Sequence, residues 1–243
     1  MKKDEILFLM KFGKKDNLEK LQKGNFYTKN LKYYIECERQ GGQGDENEAA
    51  LILNKTKIEA RNPDTNEIIF VSDSSKVTFR KDNDKYVPVF CMRYSDSTDL
   101  QNIREENGII TAQLKFSKDK GDYLKKEFGE YVLIISPVDF WNRIIEKMQE
   151  QTKIVMRKVK YEDLSINDAE RMKNFANDTD DRFFVKDNLF ETQKEYRIAF
   201  TDIQVNDSFE KNIGSIQQFT HLLNVDDLVN KGMGIKYKSI KAD

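Results

Sequence analysis

KDNLFETQKEYRIAF, residues 186–200, is the stretch whose reading decides the fold. Its first half is polar and turn-like, ending near Gln193, and its second half reads as a strand that opens with Glu195 and Arg197. Side chains alternate across a strand, so Glu195 and Arg197 share one face while Tyr196 and Ile198 take the other. A carboxylate beside a guanidinium at the mouth of a strand forms either part of a polar ligand site or an ion pair on an edge strand. Lys186 opens the same stretch and joins them as a candidate ligand-binding residue.

Strands of this kind alternate with short helices along the chain. At the N-terminus, Glu5–Phe12 reads as a strand, and Asp16 with Glu19 as a capping box for a helix over Asn17–Lys23 that stops at Gly24. Phe26–Thr28 is a second short strand, and Asn30 caps a helix carrying Leu31, Tyr34 and Ile35. Residues Gln40–Glu48 read as a flexible acidic loop. Strands at Ala50–Asn54 and Lys57–Arg61 return through the turn Asn62–Asn66 into Glu67–Val71. A second hairpin joins Lys76–Arg80 to Tyr86–Tyr94. The latter strand places Cys91, Arg93 and Ser95 on one face at a polar exit, so Arg93 is a further ligand-binding candidate.

Tyr131–Ile135 is a buried strand leading into the clearest helix, capped by Ser136 with Pro137 at its first position and striped by Trp141, Ile144, Ile145 and Met148. Further strands are expected at Ile109–Phe116, Lys153–Val159 and Ile235–Ser239. Helices are expected at Asp119–Phe128, Asn167–Asn177 and near Asp226–Asn230. With three prolines, no repeat and no linker, residues 1–243 read as a single α+β domain. It is a twisted, mainly antiparallel sheet with short flanking helices. The N-terminal strand–helix–strand unit, about residues 1–48, forms one wall of a cleft.

Composition narrows the function. The 41 Lys+Arg balance 42 Asp+Glu, so no global field argues for bulk nucleic-acid binding. The apolar run Ile6–Met10 is too short to span a bilayer. Two cysteines, Cys37 and Cys91, without a secretory segment imply free thiols in a soluble, cytoplasmic protein. His221 is the only histidine, which excludes a multi-histidine zinc site, and its apolar flanks give it a structural, partly buried role. No metal site is expected, and chemistry falls to carboxylates, Arg, Lys and Tyr.

A series of short blocks occurs in a recognisable order: Leu21–Tyr27, an aromatic helix with Tyr33 and Tyr34, Gly44–Glu48, Pro88–Cys91, Lys186 and Glu195–Arg197. Together they resemble an uncharacterised bacterial domain family, which in turn looks similar to the ADP-ribosyltransferase superfamily. That resemblance implies a strand–helix–strand unit holding a nicotinamide nucleotide and a catalytic carboxylate on a late strand. Glu195 would then be the catalytic residue, NAD the ligand, and Tyr27 or Tyr34 the ring that stacks on nicotinamide. The first strand offers Lys11 where the superfamily carries His or Arg. The Lys/Asn/Ile-rich composition resembles that of low-GC bacteria and their phages. Two readings stand side by side: a NAD-dependent transferase or glycohydrolase acting in phage–host conflict, and a non-enzymatic inhibitor or defence sensor that docks on a protein or a nucleotide.

Overall fold

The computed structural model describes residues 5–39 and 44–238. β1 (Phe8–Gly13) runs into α1 (Lys15–Gln22), whose Leu18 and Leu21 are buried, and the chain turns back into β2 (Asn25–Asn30). The turn depends on Gly24, which has a φ of +100° and lies so close to Gly214 that a Cβ would collide with its carbonyl. Asn30 closes β2 and caps α2 (Leu31–Arg39) by accepting the Tyr33 N–H at 3.1 Å.

A long hairpin follows, β3 (Ala50–Arg61) with β4 (Ile68–Arg80), and then β5 (Pro88–Ser95), β6 (Leu100–Glu106) and β7 (Ile109–Leu114). α3 (Lys118–Phe128) is capped by Ser117 and stopped by Gly129 at φ +117°. β8 (Tyr131–Ile135) feeds α4 (Pro137–Met148), and β9 (Ile154–Lys158), β10 (Lys160–Glu162) and α5 (Ala169–Ala176) come next. The chain closes through β11 (Val185–Asp187), β12 (Glu195–Phe200), β13 (Ser208–Asn212), β14 (Thr220–Asn224), α6 (Val225–Asn230) and β15 (Met233–Lys238).

The α+β class is as expected, with mainly antiparallel pairing. The principal sheet runs β13-β2-β5-β1-β8-β14, and β12 and β9 extend it from the other edge of β5. Smaller units are the three-stranded β15-β7-β6 sheet, the parallel β10–β11 pair and the β3–β4 hairpin. Both faces of the principal sheet are covered, because adjacent β1 residues serve different cores. Leu9 packs with Phe90, Leu133, Ile144 and Ile198. Met10 packs with Leu124, Val132, Val225 and Leu228.

Several expectations change. α1 starts at Lys15, its cap position is Lys14 without a side-chain bond, and Asp16 sits inside the first turn, so no capping box forms. Lys76–Arg80 does not pair with the 86–94 strand; it continues β4, which pairs with β3 along its length, while β5 is absorbed into the principal sheet. The local turn residues Asp82–Asp84 suggested a hairpin, but the longer apolar surface offered by the sheet decides the pairing. α4 buries Phe140, Ile144 and Met148, whereas Ile145 is 37% exposed and Trp141 lies flat against Tyr196 with ring centroids 5.7 Å apart. His221 is exposed on β14 and not partly buried. β12 is no edge strand, since β5 and β9 flank it and all six of its residues are buried. Of the expected acidic loop, residues 40–43 lie outside the described residues, and Asp45 and Glu48 are buried.

Candidate functional site

The sheet splits along β5. One edge of β5 is covered by β12 from Val89 to Arg93. On the other edge, β2 pairs only with Pro88 and Val89, and β1 only with Arg93, Tyr94 and Ser95. Among the described residues, 90–92 between them have no strand partner on that side. Backbone carbonyls deprived of a ladder need another donor. Thr28 Oγ1 donates to the Val89 carbonyl, and Lys11 Nζ donates to the Cys91 carbonyl at 2.7 Å. The strand–helix–strand unit β1–α1–β2 therefore straddles a gap, which the Lys11 ammonium plugs.

A cleft of about 670 Å3 opens on one side of this gap. Among the described residues its lining includes Lys11, Lys20 and Lys29 against a single carboxylate, Glu210, together with Tyr27, Tyr33, Tyr34 and Phe90. Lys11 Nζ lies 4.6 Å from the Phe90 ring centroid. Among the described residues no carboxylate comes within 4.0 Å of this ammonium. Burial lowers the Lys11 pKa from the ordinary lysine value, outweighing the raising effects of Cys91 and Glu195. Lys29 differs: it is paired with Asp207 at 2.6 Å and lies 5.7 and 5.5 Å from the Tyr27 and Tyr33 ring centroids. Burial also raises the Tyr34 hydroxyl well above the usual tyrosine range, so this ring stays a neutral donor.

A second, smaller cavity of about 170 Å3 is lined by Lys11, Tyr34, Cys91, Arg93, Gln193 and Glu195. Lys11 and Tyr34 line both cavities. Behind this wall lies a closed network of four charges. Arg197, 1% exposed, donates from Nη1 and Nη2 to the two oxygens of Glu48 at 2.8 Å each, from Nε to Glu195 at 2.8 Å, and from Nη1 to the Phe183 carbonyl at 2.7 Å. Lys186 Nζ lies 2.8 Å from Glu195 and 3.5 Å from Glu48. Burial would raise the Glu195 pKa, but the charges of Arg197 and Lys186 hold it far below the usual carboxylate range. The same carboxylates raise the pKa values of Lys186 and Arg197 against the opposing effect of burial. Two anions and two cations leave the network neutral, which is what allows it to persist out of water.

The sequence candidates thus divide. Lys11, Tyr27 and Tyr34 come together in the larger cleft. Glu195, Arg197 and Lys186 come together in the buried network, and Glu195 lines the smaller cavity. Arg93 belongs to a third group: it donates to the carbonyls of Thr192 and Gln193 and pairs with Asp99 at 3.2 Å. Burial would raise the Asp99 pKa, but the positive charges of Arg93, Lys120 and Lys194 bring it down to about 2. Glu48 was missed. Its signal was the turn Gly44–Glu48, in which Asp45 accepts the Asn47 N–H at 2.8 Å and so carries Glu48 inward rather than into solvent. Lys29 and Tyr33 were also missed as cleft residues, because only the splitting of the sheet brings them beside Lys11.

Among the described residues no helix is long and apolar enough to cross a membrane, and no group of three or more metal-ligating side chains occurs. Cys37 and Cys91 are free thiols, and burial, followed by the Glu195 charge, pushes the Cys91 thiol up to about 12. No protein-family model, curated protein or solved structure matches the chain.

Proposed function

We propose that this protein binds a nucleotide-like ligand in the cleft at the split of the sheet, with Lys11 meeting a phosphate and Tyr27, Tyr33 or Tyr34 stacking on a base. The observation that carries this reading is the Lys11 ammonium: among the described residues it has one backbone acceptor and no carboxylate within 4.0 Å. A half-buried cation without a counter-ion is costly, and an anionic ligand supplies the missing charge. Ring faces beside lysines add an aromatic subsite, and about 670 Å3 is within the range of small-molecule sites.

A catalytic reading, NAD cleavage or ADP-ribosyl transfer with Glu195 as the carboxylate, is the second proposal. It draws on the two cavities sharing Lys11 and Tyr34, with Glu195 lining the smaller one. Against it, Glu195 already accepts from Arg197 and Lys186, so binding alone is the reading favoured here. A role in phage–host conflict, as an effector or as a sensor, belongs with either proposal and draws only on composition.

Titration calorimetry of the whole chain with AMP, ADP-ribose and NAD tests binding, and release of nicotinamide from NAD tests catalysis. Saturable binding without release supports the first proposal and release supports the second. No binding of any of the three defeats both.

A further inference from the structure

The β3–β4 hairpin leaves the body of the protein after Asn54. There the Asn54 N–H donates to Asn167 Oδ1 and the Asn54 carbonyl accepts from Asn167 Nδ2, both at 2.8 Å, which closes the outer edge of β3. Beyond that point, among the described residues, the hydrogen bonds and ion pairs of residues 55–79 stay within the hairpin. A two-stranded ribbon is marginally stable by itself in water, and a sheet needs three or more strands to stand alone. This ribbon also exposes Ile58, Ile68, Ile69, Phe70, Val71 and Phe79, each between 39% and 68%. At about 200 Å2 for a large apolar side chain, that is roughly 600 Å2 of apolar surface on one arm, as much as the largest patch of a typical monomer.

The two edges of the ribbon differ. The outward half of β3 carries Lys55, Lys57, Glu59 and Arg61, the charged composition that blunts an edge strand. Between Ile68 and Phe79, β4 carries only Asp73 and Lys76 as charges and has no proline. Its outer edge has no strand partner among the described residues.

We propose that β4 pairs antiparallel with β4 of a second copy of this chain, giving a two-fold dimer whose arms form a four-stranded sheet, β3-β4-β4-β3. The occupant is read from β4 itself. With the two-fold axis at Ser74, Val71 faces the second copy's Val77, Phe70 faces Thr78, Asp73 faces Ser75 and Ser72 faces Lys76. The valine pair occurs twice and no like charges stand opposite each other, which is the condition for a stable ladder. The exposed apolar area is comparable with the about 800 Å2 per partner that a standard interface buries. Such a contact consumes the edge on both copies, so assembly stops at two. The inference is independent of the nucleotide reading, since none of these residues lines either cavity at the split.

The test is sedimentation equilibrium of the full chain, with an expected mass twice the 28.6 kDa of one chain. Phe70→Lys/Thr78→Lys sets like charges opposite each other near both ends of the paired segment, and Phe70→Glu/Thr78→Glu does the same with the other sign. Both positions are exposed, so each double variant should keep the parent's circular dichroism. Each alone should sediment as a monomer, and an equal mixture of the two should return to the dimer mass. If neither folds, Ser74→Cys carries the test. Directly opposed strand residues have Cα atoms about 4.5–5.5 Å apart, within disulfide reach, so oxidised glutathione should link two copies of this variant on a non-reducing gel and leave the parent unlinked. A monomeric parent overturns the proposal, whether or not it binds vesicles or another protein. Folded charge variants that remain dimeric, a mixture that stays monomeric, or Ser74→Cys that does not link overturns it equally.

Discussion

Replacing Glu48 with Gln keeps the shape of the side chain and removes one charge from the Glu48–Arg197–Glu195–Lys186 network. The neutral set of two anions and two cations becomes a buried group with one uncompensated positive charge. Arg197 is 1% exposed and the Glu48 side chain 2%, so water cannot make up the loss. Removing one partner of a buried pair costs about 3–5 kcal/mol, whereas an exposed pair is worth about 0–1 kcal/mol. For a chain of 243 residues each kcal/mol moves Tm by about 2–4 °C, giving a drop of roughly 6–20 °C. Charge balance, not the hydrogen bond alone, sets that cost. The double variant Glu48→Gln/Lys186→Met restores neutrality and should recover part of the loss, with a coupling of about 0.5–3 kcal/mol in a double-mutant cycle. Urea unfolding of the four proteins measures this. A Glu48→Gln loss below about 1 kcal/mol, or strict additivity with Lys186→Met, would refute the network as a closed electrostatic unit.

Ile144→Ala should cost about 2–5 kcal/mol through lost burial and a cavity, while Ile145→Ala on the exposed side of α4 should cost far less; thermal melts of the two compare the faces directly. Glu195→Gln should lower stability at neutral pH and flatten its acid dependence. The folded-state pKa of Glu195 is depressed, so its contribution is full above the unfolded value near pH 4.3 and is lost as pH falls toward the folded one; parallel melts between pH 3 and 7 read the difference. Cys91 should resist alkylation at pH 8 in the native protein and react on denaturation, because burial holds its thiol near 12; mass spectrometry after each treatment identifies the modified residue.

Where local chemistry decides structure, the sequence could be read directly. Tyr131–Ile135 is a strand over the range its apolar run suggests, Asn30 caps its helix, and Gly24 and Gly129 end theirs. Glu195 and Arg197 share a face, as their period-2 spacing implies, and pair at 2.8 Å. Their partner Glu48 lies 149 residues from Arg197 along the chain, beyond the reach of any window of local pattern. The cleft was half legible for the same reason. Lys11, Tyr27 and Tyr34 fall within the strand–helix–strand unit and its following helix, but the gap that joins them exists only because β1 and β2 dock on opposite ends of one edge of β5. The β3–β4 pairing was hidden where local turn residues favoured a nearer partner than the one the fold uses.

The most direct test of the nucleotide-binding proposal is Lys11→Met, examined for stability and for ADP-ribose binding on one protein preparation. Among the described residues Lys11 spends its ammonium on one backbone carbonyl and has no carboxylate within 4.0 Å, so losing the charge should be close to neutral for folding. The desolvation cost that it removes offsets the hydrogen bond that it loses. Binding of ADP-ribose, saturable in the parent, should weaken by roughly tenfold or more in the variant, since a charge-assisted contact of about 1.5–3 kcal/mol disappears. Equal affinity in parent and variant, or no binding by the parent at all, would contradict the assignment of the split-sheet cleft as the ligand site.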